Sequence, residues 1–174
     1  MALAREDELF YTSLESPIGR LYLALTDRGV CFLSLNRSEE EFLQELKDSG
    51  IKTLRRDDLK GGFVKRELEG YFAREPYHFQ TPIDLLWGTT FERRVWQELS
   101  RIPYGETRSY QEVAESVGVP RGYRAVGRAV GKNPIGIIIP CHRVILSDGG
   151  LGGFSAGVEA KKYLLQLEGH PISP

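Results

Sequence analysis

The sequence predicts an α+β chain: a small β-rich α/β domain over residues 1–85, packed on a mostly helical domain over residues 86–174. Three observations carry this. Apolar residues alternate along short early runs, LYLAL and VCFLSL, as in half-buried strands. They recur at helical spacing in the later run FERRVWQELSRI. The 174 residues, 41% hydrophobic and 27% charged, suffice for a sizeable core and exclude a disordered chain.

In chain order, FYTSLESPIGRLYLALTDRGVCFLSL reads as hairpin strands punctuated at Ser16-Pro17-Ile18-Gly19 and Thr26-Asp27-Arg28-Gly29. Ser38 caps a helix from Glu39 to about Asp48, with Glu41 completing a capping box. The next helical stretch aligns Phe63, Leu68, Tyr71 and Phe72 on one face, and Thr81-Pro82-Ile83-Asp84 reads as an extended crossing segment. Thr89 or Thr90 caps a helix with Phe91, Val95, Trp96 and Leu99 at core spacing. Ser109 caps Tyr110 to about Val117, again with a glutamate three residues on, Glu112. A short helix follows Pro120 through RGYRAVGRAVGKN and closes at Asn133-Pro134. Ile137-Ile138-Ile139 reads as a buried extended run, Ser147-Asp148-Gly149-Gly150 as a turn, and Val158–Glu168 as a final helix with Tyr163, Leu164 and Leu167 inward. No repeat or low-complexity stretch interrupts this order.

Net charge is −1, so bulk charge points to no nucleic-acid or membrane partner. Locally the balance differs. Residues 1–80 carry 12 basic and 15 acidic side chains, residues 81–174 carry 11 and 9. No acid falls between Glu115 and Asp148, whereas Arg121, Arg124, Arg128, Lys132 and Arg143 do. Such a cationic stretch fits phosphate contacts, or simply a solvated basic face. No uncharged run reaches the ~20 residues of a membrane span. Arg5, Glu6, Asp7 and Glu8 occupy the place of a signal-peptide core, so an intracellular location is expected. Cys31 and Cys141 are the only cysteines, too few for a disulfide framework or a cysteine-rich zinc site.

Cys141 stands in Ile-Ile-Ile-Pro-Cys-His-Arg-Val, where an apolar run meets a proline that fixes φ. A thiol at such a strand end, beside an imidazole and a guanidinium, is placed to ionise and act as a nucleophile. An inert buried cysteine is the commoner fate of a single thiol, and neighbours along a strand point to opposite faces. RAVGRAVG sets Ala125, Gly127, Ala129 and Gly131 in a basic helix. Small residues there permit close approach either to a nucleic-acid groove or to another helix.

From Thr90 to Gly169 the chain resembles the O6-alkylguanine-DNA alkyltransferases, also called methylated-DNA–protein-cysteine methyltransferases. The pieces that carry the resemblance are TTFERRVWQELSRIPYGETRSYQEVAESVG, RAVGRAVGKNPI, IPCHRVI and YLLQLEG. Residues 1–80 match only in layout. The resemblance implies a helical C-terminal domain with a helix-turn-helix-like DNA-binding element. It implies a DNA repair protein that moves an alkyl group from O6-alkylguanine, and possibly O4-alkylthymine, irreversibly onto its own Cys141 in one turnover, with the nucleotide flipped out of the duplex. No cofactor is implied.

Residue by residue, the resemblance makes Cys141 the acceptor and His142 its base through a bridging water, oriented by Glu168 in a variant of triad logic. Tyr110 gives a proton to guanine N3, and Asn133 ties the turn before the site to the reactive network. The backbone carbonyls of Cys141 and Val144 accept from the guanine exocyclic amine, the Ser155 amide donates to O6, and Gly152-Gly153-Phe154-Ser155 forms a lid. Arg124 fills the base stack after extrusion, which the buried position of guanine O6 makes necessary. Arg121, Tyr123, Ala125, Gly127, Arg128 and Lys132 face the groove.

The sequence also departs from the family. Phe154 replaces a common tyrosine. Tyr123 stands at a position often small, either to stack on DNA or to disturb groove approach. Gly136 replaces a proline or serine and so alters the pocket wall. Cys31 lacks the companions of the zinc site of some animal members, so no metal is expected. With no regulatory extension before the small domain, the expectation is a stand-alone monomer, cytoplasmic (nuclear in a eukaryote), acting on double-stranded DNA without a membrane partner. Two other readings are a lesion-binding module without transfer, against which Cys141 argues, and a cysteine hydrolase, for which no oxyanion hole is visible.

Overall fold

A computed structural model describes residues 8–172; of the four charged residues that argue against a signal peptide, Arg5, Glu6 and Asp7 lie outside the described residues. The chain divides into two compact units, Met1–Leu86 and Trp87–Pro174.

The first unit runs β1 (Glu8–Ser16), β2 (Gly19–Leu25), β3 (Val30–Ser34), α1 (Glu39–Asp48), β4 (Thr53–Arg56) and α2 (Gly62–Phe72). Its sheet has the order β3-β2-β1-β4, antiparallel except for the β1–β4 pair. A parallel partner cannot be reached by a tight turn, and here the chain returns to β1 through α1. The strand β4 escapes sequence reading because TLRR has no alternation and three of its four residues are exposed. In α1, Ser38 and Glu41 form the expected capping box, and Phe42 and Leu46 are buried. Phe42 stacks on Tyr22 at a centroid distance of 5.4 Å, over a core that includes Leu9, Leu21 and Leu23.

The helix α2 is rotated from its expected face. Phe63 is 51% exposed and Phe72 only half-buried, while Val64, Leu68 and Tyr71 go inward. The reason is Glu67, which is buried beside them. Its carboxylate accepts from the amide of Gln80 at 2.7 Å, from the amide of Thr81 at 3.0 Å, and from the Thr81 hydroxyl.

The second unit contains α3 (Thr90–Leu99), β5 (Arg108–Ser109), α4 (Tyr110–Ser116), α5 (Tyr123–Gly131), β6 (Val144–Ile145) and α6 (Val158–Leu167). Together with the sheet of the first unit this is the expected α+β composition. Thr89 with Glu92 and Ser109 with Glu112 form capping boxes that fix where α3 and α4 begin. The core gathers Val95, Trp96, Leu99, Val113, Val126 and Ile135. Trp96 donates its indole N–H to the Ala129 carbonyl at 2.8 Å. Ala129 is itself 2% exposed, so it belongs to the core and not to an outer surface. The short parallel pair β5–β6 sets Arg108 opposite Val144 and Ser109 opposite Ile145, bringing the start of α4 beside the chain that leaves Cys141.

The expected extended run before Cys141 is absent. The amide of Ile138 donates to the Gly136 carbonyl at 2.9 Å, a γ-turn around Ile137, whose φ is 70°. The amide of Cys141 donates to the Ile139 carbonyl at 2.8 Å, an inverse γ-turn around Pro140 with φ −80° and ψ 63°. Cys141–Arg143 then forms one 3-10 turn. Three consecutive isoleucines resemble a strand in composition. Their backbone groups instead find local and side-chain partners, notably Asn133, whose amide group donates to the Ile139 carbonyl at 2.8 Å and accepts from the Ile135 amide at 3.0 Å.

Candidate active site

Cys141 is 5% exposed at the head of the 3-10 turn. Burial pushes its thiol up from the ordinary range. The Asn133 side chain beside it and the Lys161 ammonium both act in the opposite direction. Asn133 thus serves the backbone turn and the thiol together.

Because Cys141 and His142 sit on a 3-10 turn and not on a strand, their side chains are not forced to opposite faces. His142 has no exposed surface, and its Nε2 lies 2.8 Å from Glu168 Oε1. Burial pushes the imidazole below its ordinary range, against the pull of Glu168. A carboxylate can only accept, so Nε2 carries the hydrogen, and in the neutral ring Nδ1 keeps a lone pair for a proton. Burial works to raise the Glu168 carboxyl. The hydrogen bonds from His142 and Arg143 outweigh it and hold the group at about 2.

Arg143 is the largest correction to the sequence reading. It does not belong to the cationic surface. It is 6% exposed, and its Nε donates to Glu168 Oε2 at 2.9 Å, its Nη2 to Oε1 at 2.8 Å and its Nη1 to the Ile102 carbonyl at 2.7 Å. Such a fork-to-fork pair fixes the plane of the carboxylate. A signal for it was present: Glu168 ends a helix, where an anion is unfavourable without a partner.

Tyr110 opens α4 half-buried. Burial, and next the nearby Cys141, push its hydroxyl up, so it stays protonated. Gly152 gives it room: a Cβ there, where φ is 72°, would lie 3.3 Å from the ring and 3.4 Å from the hydroxyl oxygen, whereas one at Gly127 on α5 would make only ordinary contact at 3.9 Å. Tyr110, Gln111, Tyr123, Gly127, Leu146, Ser147 and Gly153 line a cavity of about 370 Å³.

The remaining predicted residues divide. Gly136 is buried in the γ-turn stretch. Phe154 is half-buried and Ser155 exposed, in a turn closed by the Gly157 amide on the Phe154 carbonyl at 2.9 Å. The Val144 carbonyl already accepts from Lys161 Nζ at 2.6 Å. Tyr123, Arg124 and Arg128 are exposed along α5, Ala125 is half-buried, and Arg121 is exposed in the turn before that helix. Lys132 departs from this group, because its ammonium pairs with Glu92 at 2.9 Å. Lys161 itself, a wholly buried cation, was invisible in the sequence, where it is one lysine of an amphipathic helix. Among the described residues, no cluster of three His, Cys, Asp or Glu is able to hold a metal ion.

Residues 90–170 match the family profile "6-O-methylguanine DNA methyltransferase, DNA binding domain", and residues 9–85 match its "ribonuclease-like domain". The methylated-DNA–protein-cysteine methyltransferase of Methanosarcina barkeri is 43% identical over 162 residues, 92% of this chain and 97% of the relative. That of Mycobacterium leprae is 44% identical over 162 residues, 92% of each chain. The crystal structure of Mycobacterium tuberculosis O6-methylguanine methyltransferase superposes with a TM-score of 0.80 at 38% identity, covering 95% of this chain and 96% of that one. The same organism's OGT in complex with DNA gives 0.80 at 40%, covering 91% and 92%. A likeness that spans both units, and includes the turn that carries Cys141, makes this chain a member of the methylated-DNA–protein-cysteine methyltransferase family.

Proposed function

We propose that this protein repairs duplex DNA by taking the alkyl group of O6-alkylguanine onto Cys141. The observation that carries this is the buried thiol of Cys141 next to a neutral His142 whose Nε2 is committed to Glu168 at 2.8 Å. The thiol proton passes by way of a water to His142 Nδ1. The sulfur attacks the alkyl carbon, the S–C bond forms as the C–O6 bond breaks, and the electron pair leaves with guanine. Tyr110 gives a proton to guanine N3, which spares an anionic leaving group. Glu168, itself aligned by Arg143, orients the imidazole and stabilises it once charged. The product is a neutral thioether that nothing in the site hydrolyses, so each molecule reacts once.

The cavity beside Tyr110 is the mouth through which the flipped nucleotide enters. The amide of Ser155 and the carbonyls of Cys141 and Val144 read the base, Phe154 and Gly136 form walls, and Asn133 holds the thiol. Val144 keeps a second lone pair for the guanine amine while Lys161 occupies the first. The pair α4–α5, joined by a turn over residues 117–122, acts as the helix-turn-helix-like element. Along it Arg121, Tyr123, Ala125, Gly127 and Arg128 face the groove, and Arg124 fills the vacated stack. A monomer acting in the cytoplasm completes the reading; no helix of the described residues is long and apolar enough to cross a membrane. The family zinc site has no counterpart at Cys31, and the chemistry above uses no metal.

Intact mass after incubation with an O6-methylguanine duplex tests the reading. One methyl per chain is expected, mapped to the Cys141 peptide and absent in Cys141→Ala, which still binds the duplex. Turnover beyond one equivalent, or an adduct at Cys31, overturns it.

A further inference from the structure

Tyr123 opens α5 and is 46% exposed; Leu146 directly follows β6 and is 42% exposed. Single apolar side chains scattered over a surface are ordinary. These two come from separate elements onto one concavity. Both line the cavity of about 370 Å³ beside Tyr110, a volume within the range of small-ligand sites. Gly127, one helical turn after Tyr123 and on the same face of α5, adds no side chain to that wall. Leu146 is held from its own loop. Its amide donates to the Gly150 carbonyl at 2.8 Å, and its carbonyl accepts from the Gly149 amide at 3.0 Å. Its two methyls pack on glycines: a Cβ at Gly150 would lie 3.2 Å from one, and a Cβ at Gly152 would lie 3.5 Å from the other.

The polar groups of the lining are engaged. Gln111 Nε2 gives its two hydrogens to Glu115 Oε1 at 3.0 Å and to the Pro120 carbonyl at 2.8 Å, so Gln111 offers no donor to the cavity. The Gly153 carbonyl accepts from Lys161 Nζ at 3.3 Å. The Ser147 hydroxyl rotates and either donates or accepts. Telling one base edge from another takes a donor and an acceptor in fixed register, and this lining supplies no such pair. What it supplies is apolar surface and a ring. The neighbouring charge says what brings the occupant. Arg121, Arg124 and Arg128 are exposed on α5 and just before it, as phosphate contacts require. The Arg124 guanidinium lies 5.9 Å from the Tyr123 ring centroid. The planar group delivered here by a phosphate backbone is a nucleobase, and every base has a π-face.

We propose that Tyr123 and Leu146 bind the extruded nucleobase at the mouth of the cavity by stacking and apolar contact, whichever of the four bases it is. This rests on the reading that the flipped nucleotide enters through this cavity. The Tyr123 ring meets the base and not the phosphates. Selection of O6-alkylguanine falls to the deeper groups around Cys141.

The test is equilibrium binding to unalkylated duplexes in which one base, each of the four in turn, stands opposite an abasic site. The reference is the same duplex with abasic sites opposite each other. Both lack a pair at that step, so the difference reports the base. The parent protein is expected to bind every base-bearing duplex roughly tenfold more tightly than the reference, with the four bases within about threefold of one another, as stacking on an aromatic ring predicts. Tyr123→Ala is expected to erase that gain and Tyr123→Phe to keep it. Leu146→Ala is expected to reduce it roughly threefold, through lost apolar contact. Affinity for fully paired duplex should stay within about twofold in all three variants, because phosphate contacts dominate it. A gain confined to guanine overturns the proposal. So does a parent protein with no gain, or a Tyr123→Ala variant that weakens paired and unpaired duplexes equally. None of these DNAs carries an alkyl group, so failure here leaves transfer to Cys141 standing. A parent protein that takes no methyl from an O6-methylguanine duplex refutes that reading without altering these affinities.

Discussion

Among the described residues two carboxylates are buried, one in each unit, and their surroundings differ. Glu67, 2% exposed, is held by two backbone amides and a threonine hydroxyl, all neutral. Glu168, 6% exposed, is held by an imidazole and a guanidinium, both of which carry mobile or fixed charge. Burial alone therefore does not mark an acid as functional. What differs is whether its partners are able to exchange protons. Glu67 can only fasten α2 to the segment at Gln80 and Thr81, whereas Glu168 touches His142, the base of the proposed transfer.

The sharpest way to break this contrast is to remove each acid. Glu168→Ala leaves Arg143 buried without its counter-ion and should cost about 3–5 kcal/mol in urea unfolding. The milder Glu168→Gln should slow transfer from the alkylated duplex by roughly a hundredfold or more, the scale of a general base losing its orientation. Glu67→Ala leaves three donors without an acceptor and should cost about 1–3 kcal/mol, with single-turnover transfer unchanged in the folded fraction. Equal slowing by the two variants contradicts the distinction.

Acid titration sharpens it further. The Glu168 carboxyl is lowered from 4.5 to about 2, so between those values the unfolded chain binds the extra proton. The stability it contributes is complete above 4.5 and is lost as pH falls through about 2. His142, lowered from 6.5 by burial, acts with the same sign, because the unfolded chain takes up its proton first. Unfolding free energy should thus decline below pH 6.5 and again below 4.5, and Glu168→Gln should flatten the second limb.

The smallest effect concerns cations. Lys132 is committed to Glu92, while Arg128 is exposed without an ion pair among the described residues. Arg128→Ala should reduce the salt dependence of duplex binding by about one charge, and Lys132→Ala by much less. Equal slopes would return Lys132 to the groove-facing set.

Much of this was legible in advance, for identifiable reasons. Capping boxes at Ser38–Glu41 and Ser109–Glu112 are local, so four residues suffice to place a helix start. The motif around Cys141 is also local. What stayed hidden depends on partners distant in sequence. Arg143 meets Glu168 across 25 residues, and Lys161 meets Val144 across 17. The strand β4 exists only because β1 offers it an edge. A basic stretch read along the chain cannot separate Arg143, which turns inward, from Arg124 and Arg128, which face out.

The two γ-turns that lead to Cys141 have a consequence of their own. A residue delivered by a β-ladder inherits that ladder's register, and pairing can slip and carry the residue with it. Gly136–Pro140 has no ladder to slip along. The depth of the sulfur is set by a few torsion angles, above all φ 70° at Ile137, an uncommon conformation for a β-branched residue. Ile137 endures it with its side chain wholly out of solvent, so the apolar core clamps a bend that an isolated peptide would abandon. The nucleophile is in this sense spring-mounted, and its aim is calibrated by packing behind it instead of by hydrogen-bonded neighbours beside it.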